Sequence, residues 1–235
     1  MGFVNGPGTV VTDGLIVAVD PASLLSYPGS GTAITNLVNS SLSGTLVNGP
    51  IFTSAGGGSY ITTDGTNDHI RFDENAAYRF LGTSAFSLDL WVYPLAVGTF
   101  TRLINRESNP GGLRDGYTTW FDNSTGTHFI GFERYGSNSP SGTSVSIPNP
   151  TGKWNHCVFS YDGTTTRIYL NNILVSSGGS SVSITNTTES LAVGGAITYG
   201  SYSNYRLGSF KVYNIGLSAQ QVTQNFNSLR GRYGL

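Results

Sequence analysis

The stretch from Trp154 to Ser176 constrains this chain more than any other. Trp154–Tyr161 carries Cys157, Phe159 and Tyr161 on one face, Asp162-Gly163 interrupts it, Thr166–Leu170 resumes, and Asn171-Asn172 turns the chain into Ile173–Ser176. Side chains that repeat every second residue belong to strands, and Asp-Gly or Asn-rich pairs between such runs make tight reversals. The segment therefore reads as a β-meander. The same pattern recurs elsewhere. Phe86–Tyr93 sends Phe86, Leu88, Leu90 and Val92 to one face and Ser87, Asp89, Trp91 and Tyr93 to the other, and Pro94 closes it. Gly14–Asp20 places Leu15, Val17 and Val19 together. Further strands are expected near Gly44–Val47, Ser59–Thr63, His69–Phe72, Arg102–Asn105, Tyr117–Asp122, Thr127–Glu133, Leu191–Gly194 and Ser209–Tyr213. Residues 136–152 are dominated by Gly, Ser, Pro, Thr and Asn and read as a long surface loop carrying one short strand, Ser144–Ile147.

One helix is expected, over 218–229. Ser218 is placed to cap it and Gln221 completes a capping box, with Leu217 and Val222 as the flanking hydrophobic staple. Val222, Phe226 and Leu229 then form one apolar stripe, and Gly231 ends the element. Residues 1–12 are Gly-rich and weakly patterned, an N-terminal arm ahead of a single domain, 13–235.

Composition narrows the function classes. Only 11% of residues are charged and the net charge is -1, so no basic stripe exists for nucleic acid. Aromatic residues make up 12%, which argues against disorder. The single cysteine, Cys157, cannot form an intrachain disulfide. No apolar run approaches the ~18 residues of a membrane span, and no leader-like segment opens the chain. The expectation is synthesis in a reducing cytosol, or a signal removed ahead of Met1.

The ordered set Asp64-Gly65-Thr66-Asn67-Asp68, Phe86–Tyr93, Trp154-Asn155-His156, Tyr161-Asp162-Gly163, Tyr169-Leu170-Asn171, Leu191–Gly195 and Leu207–Asn214 followed by Leu217-Ser218 resembles the laminin G-like, concanavalin A-like jelly-roll superfamily. The resemblance covers Gly14 to Arg232. It implies an all-β fold, a jelly-roll sandwich of two curved antiparallel sheets with one short C-terminal helix. Two departures stand out. Asn171-Asn172 replaces the family's Asn-Gly turn, and Gly208–Tyr213 lacks the acidic residue common in the closing strand. The opening (Gly14–Asp20, Ser26–Thr32, Gly44–Pro50) and the tail Gln224–Gly234 are similar to laminin G-like domains of tailed-phage structural proteins.

That resemblance implies a non-enzymatic phage virion surface protein, made in the host cytoplasm, that decorates the capsid or sits in a fibre or tail. Its partners would be other virion proteins and further copies of itself, with host or environmental glycans as ligands. The alternative is a free carbohydrate-binding module or adhesin domain of a bacterial protein. Phe3, Val4, Arg230, Arg232 and Tyr233 are the assembly candidates.

The residues themselves offer little catalytic chemistry. Glycosidases of this fold carry alternate carboxylates on one strand, and Glu74, Glu107, Glu133 and Glu189 form no such run. Enzymatic activity is not expected. No cofactor is implied, although Asp64, Asn67 and Asp68 put hard oxygen ligands on one turn, where calcium is the metal to weigh against an ordinary Asx turn. Sugar sites stack aromatic faces on pyranose rings and surround them with amides and hydroxyls. Two groups have that make-up: Tyr199, Tyr202, Tyr205 and Arg206 within a Gly/Ser/Asn segment read as a loop, and Tyr117, Trp120, Asn123 and Tyr135 near another. Contact with a neighbouring subunit would use the same residue types.

Overall fold

The computed structural model describes residues 8–109, 113–179, 182–185 and 188–235. Phe3 and Val4 lie outside the described residues.

Two antiparallel sheets face each other across one hydrophobic core. The first sheet runs β14 (Ile173–Gly179), β13 (Thr165–Leu170), β12 (Asn155–Tyr161), β7 (Phe86–Pro94), β18 (Asn204–Tyr213), β5 (Tyr60–Asp64) and β4 (Ile51–Thr53). β1 (Leu15–Val19) continues the line of β5, pairing with the second half of β18 while β5 pairs with the first. The second sheet runs β11 (Ser139–Ser146), β10 (Phe129–Gly136), β9 (Asp115–Asp122), β8 (Thr101–Ser108), β15 (Leu191–Val193), β6 (His69–Phe72), β3 (Gly44–Val47) and β2 (Ala33–Ile34). A two-stranded ribbon of β16 (Gly195–Ala196) and β17 (Ser201–Tyr202) completes the strands.

The alternation read from the sequence decides which side chains meet. Phe86, Leu88, Leu90 and Val92 of β7 and Cys157, Phe159 and Tyr161 of β12 all enter the core between the sheets. The Asn171-Asn172 reversal holds, with both residues at positive φ (50° and 68°), a conformation asparagine tolerates better than most residues. Burial pushes the Cys157 thiol up and keeps it a small apolar group.

Two expectations need correction. The strand at the start was read with Leu15, Val17 and Val19 on one face. A bulge between Leu15 and Val17 breaks that register, so Leu15 packs with a separate outer cluster while Val17 and Val19 join the core. Residues 136–152 are not a loop with a short strand. β11 spans eight of them and pairs with the whole length of β10. As an edge strand it buries little, so Ser, Pro and Gly suffice there and no hydrophobic alternation announces it.

The outward face of the first sheet is roofed. Helix α1 (Ala219–Leu229) lies there, started by the capping box the sequence announced: Ser218 Oγ accepts from the Gln221 amide and Gln221 Oε1 accepts from the Ser218 amide. Val222 and Leu217 join Val11, Val158, Tyr169 and Tyr213 in the outer cluster. Beneath the helix sits a buried polar group. Asp89 accepts from Asn225 Nδ2 at 2.8 Å and from Lys211 Nζ at 3.3 Å, and His156 Nε2 lies 3.3 Å away. Asn225 Oδ1 in turn accepts from the Val11 amide, tying the end of the N-terminal arm to α1.

Candidate functional site

The outward face of the second sheet carries no α-helix among the described residues, and its side chains fall into three cross-strand rows. The β8–β9–β10 register aligns Arg102 with Trp120 and Gly131, Asn105 with Thr118 and Glu133, and Glu107 with Gly116 and Tyr135. Glycine at 131 is a geometric requirement. The Trp120 indole lies across it, and a Cβ there would sit 2.2 Å from the ring. On β11, Ser144 stands opposite Gly131 and Gly142 opposite Glu133, and a shallow depression of about 240 Å³ opens beside Glu133, Pro140 and Ser144.

The rows are bound into one network. Glu107 is fully buried and ion-paired with Arg114. It also accepts from the Tyr199 hydroxyl at 2.8 Å and from Asn105 Nδ2 at 3.4 Å. Arg114 lies over the Tyr135 ring at 3.8 Å, and the Tyr135 hydroxyl donates to Glu133 Oε2 at 2.5 Å. Burial and the bond to Glu107 push the Tyr199 phenol up to about 12, and burial with the Glu133 bond pushes Tyr135 upward too. Both stay protonated donors at any physiological pH. At the opposite end, Arg102 Nη1 donates to Thr118 Oγ1, its guanidinium lies 5.0 Å from the Phe100 ring, and Phe100 meets Trp120 edge to face.

Of the glycan candidates, Trp120, Tyr135 and Tyr199 come together on this face, although they belonged to two groups in the sequence. Asn123 stands at its Phe100 end, where its amide donates to the Gly98 carbonyl. Tyr117 and Tyr205 do not belong to it. Both are buried in the core, their hydroxyls donating to the carbonyls of Tyr78 and Leu103. The period of two explains this: on β9 the neighbours Tyr117 and Trp120 stand at odd separation and face opposite ways. Residues 198–206 are not a loop either. They include β17 and the start of β18, so Tyr202 packs at a tilt against His69 and Arg206 lies between the rings of Tyr60 and Tyr93 on the other sheet. Sequence reasoning missed Arg102, Asn105, Glu107, Arg114 and Glu133, which lie on three different segments and share no linear spacing.

The remaining candidates act locally. Asp64 Oδ1 accepts from the amides of Thr66, Asn67 and Asp68, the Asx turn weighed against calcium. Two of the assembly candidates are bound to their own domain: Arg232 donates twice to the Asp20 carboxylate, and Tyr233 stacks on Trp91 and lies tilted against Trp154. Arg230 is exposed beside the Phe226 ring.

A sandwich of two antiparallel sheets, roofed by a helix on one side and presenting a polar and aromatic sheet face on the other, is a lectin-like jelly roll. The chain belongs to the concanavalin A-like lectin/glucanases superfamily, whose family model matches residues 56–223. No curated protein matches it by sequence. Solved structures of the same fold include the binding domain of Paraclostridial mosquitocidal protein 1, with 14% identity and a TM-score of 0.68 over 92% of this chain and 52% of that one. Trypanosoma rangeli sialidase in complex with sialic acid is 14% identical, with a TM-score of 0.65 over 95% of this chain and 34% of the enzyme. This chain thus spans about half of the first structure and a third of the second. Domain 4 of AbnA, an extracellular arabinanase from Geobacillus stearothermophilus, in complex with arabinotriose, is matched over 97% of its length and 90% of this chain, at 17% identity and a TM-score of 0.63. Among the described residues no helix is long and apolar enough to cross a membrane.

Proposed function

We propose that this domain binds glycans, without turning them over, on the outward face of the second sheet. The observation that carries the reading is that the exposed Tyr199 ring and the Arg114 guanidinium stand against a buried layer of Glu107, Asn105, Tyr135 and Trp120, beside the depression at Glu133 and Gly142. Aromatic surface flanked by a few fixed polar groups is what a sugar ring needs. Support comes from the arabinanase domain, matched over nearly its whole length, whose structure holds an oligosaccharide.

The two carboxylates of the face fit a binding role. A glycosidase needs one carboxyl kept protonated as acid and a second free to act as nucleophile or base. Glu107 is held by a guanidinium, a phenol and an amide, and Glu133 by the Tyr135 hydroxyl. Both carboxylates are thus already engaged as acceptors within the face, with neither left free to attack a sugar. The wider setting we propose is a phage virion surface, on the strength of the opening and tail segments; finding no copies of the chain by mass spectrometry in purified virions of the source phage would remove it.

The test of the binding reading is a glycan array probed with the full chain, followed by calorimetric titration of each hit. Glu133→Gln and Tyr199→Ala should weaken binding at least fivefold while the melting temperature stays within a few degrees. Hits that both variants bind unchanged would move the site off this face, and an array with no hits would overturn glycan binding.

A further inference from the structure

We infer that the Phe100 end of this face is a subsite for the carboxylate of an acidic sugar, with Arg102 as its anchor and Phe100 as its stacking wall; the inference rests on the glycan-binding reading and names the class of glycan.

Arg102 is 8% exposed, yet among the described residues no carboxylate lies within ion-pair distance of it. Its Nε has no hydrogen-bond partner, and its one side-chain bond is to the Thr118 hydroxyl. Buried guanidinium groups ordinarily meet a carboxylate, because removing the charge from water without a counter-charge is costly. The other arginine of the face, Arg114, has such a partner in Glu107. Burial presses the Arg102 guanidinium below its ordinary value while Glu107 and Glu133 pull the other way, and arginine remains charged regardless.

Those two carboxylates do not fill the vacant role. Glu107 stands five residues along β8, on the order of 15 Å away between Cα atoms at strand rise, and Glu133 lies two strands over and one row along, on the order of 10 Å. Both are engaged by the other end of the network. On the Phe100 side the acid of the same face is Asp122, which accepts from the Ser124 amide and makes no ion pair with Arg102.

Phe100 supplies the second, independent observation. It is 40% exposed and its backbone is left-handed, φ 45°, a region bulky side chains avoid. Strain of this kind at an exposed aromatic points to function. The conformation presents the ring beside both Arg102 and the edge of Trp120. A planar, forked donor beside an exposed aromatic matches a sugar that carries a carboxylate on its ring, since the guanidinium binds carboxylates bidentately while the ring face packs on the phenyl group.

The deciding experiment is an array that holds uronic-acid and sialic-acid glycans beside their carboxyl-reduced counterparts, with affinities of the hits measured by calorimetry. The acidic member of a pair should bind at least about tenfold tighter, a difference near 1.4 kcal/mol. Arg102→Gln should bring it down to the neutral level, and Phe100→Ala should weaken both members. Arg102→Lys, which keeps the charge but not the fork, should fall between and serves if Arg102→Gln does not fold. Equal affinity for both members of each pair would overturn the inference and leave glycan binding standing. So would a preference that survives Arg102→Gln. Absence of any binding would overturn both readings together.

Discussion

At the residue scale, two kinds of position carry most of the consequence. One is Gly131, where the absence of a side chain lets the Trp120 indole lie across the sheet. Gly131→Ala forces that ring to move; overpacking of this kind costs about 1–3 kcal/mol. We expect a lowered melting temperature together with loss of glycan affinity, and a variant that keeps full affinity would show that the Trp120 pose is irrelevant to binding. The other is Asp89. Burial pushes its carboxyl up, but Lys211 and His156 outweigh that and hold it below the ordinary carboxylate range. A depressed folded value means the unfolded chain takes up the proton first. Stability from this group is therefore fully present above the unfolded carboxylate pKa, near ~4, and is lost as pH falls below it toward the folded value. Acid unfolding followed by tryptophan fluorescence should steepen below about pH 4. Asp89→Asn should flatten that limb and lower stability at neutral pH by about 3–5 kcal/mol, the usual cost of leaving a buried charge unpartnered, here Lys211.

At the element scale, α1 shows how a local signal can be complete. Ser218, Gln221, Leu217 and Val222 specify its start by chemistry that needs no tertiary context, and the structure reproduces every one of those contacts. Ser218→Ala should cost about 1 kcal/mol in a urea melt; an unchanged midpoint would mean that packing on the sheet alone fixes the helix start. Strands were legible wherever one face was buried, as in β7 and β12, because alternation is the imprint of that burial. β11 was illegible for the same reason, since an edge strand facing solvent leaves no apolar imprint. Bulges hid as well. The extra residue between Arg102 and Ile104 sends Leu103 and Ile104 both into the core, and no residue type announces it. The candidate site was legible only in part. Aromatic residues advertise themselves in a sequence, but Arg102, Glu107, Arg114 and Glu133 become neighbours only through strand order.

At the scale of the whole molecule, the two outward faces are built differently. The second sheet is lined by a network of polar and aromatic groups, while the first is closed over by α1 and the segment that follows it. Tyr233 is the key to that closure. It packs where β18 bulges at Gly208, so close that a Cβ there would fall 2.4 Å from its hydroxyl. It stacks on Trp91 and lies tilted against Trp154, with ring centroids 4.5 Å apart in each pair, and Arg232 beside it grips Asp20 with two bonds. The tail that the sequence offers as an assembly anchor also packs as a clasp within its own domain. Removing residues 230–235 should expose the Trp91 and Trp154 faces and destabilise the isolated chain by about 3–5 kcal/mol, the range for deleting a large buried aromatic. Tyr233→Ala alone should account for most of that loss, and tryptophan emission should shift to the red in both variants. Glycan affinity should survive in whatever fraction stays folded, because the proposed site lies on the other sheet. A truncated chain with an unchanged melting temperature would sink the clasp and return Arg232 and Tyr233 to the surface as contacts for a neighbouring subunit.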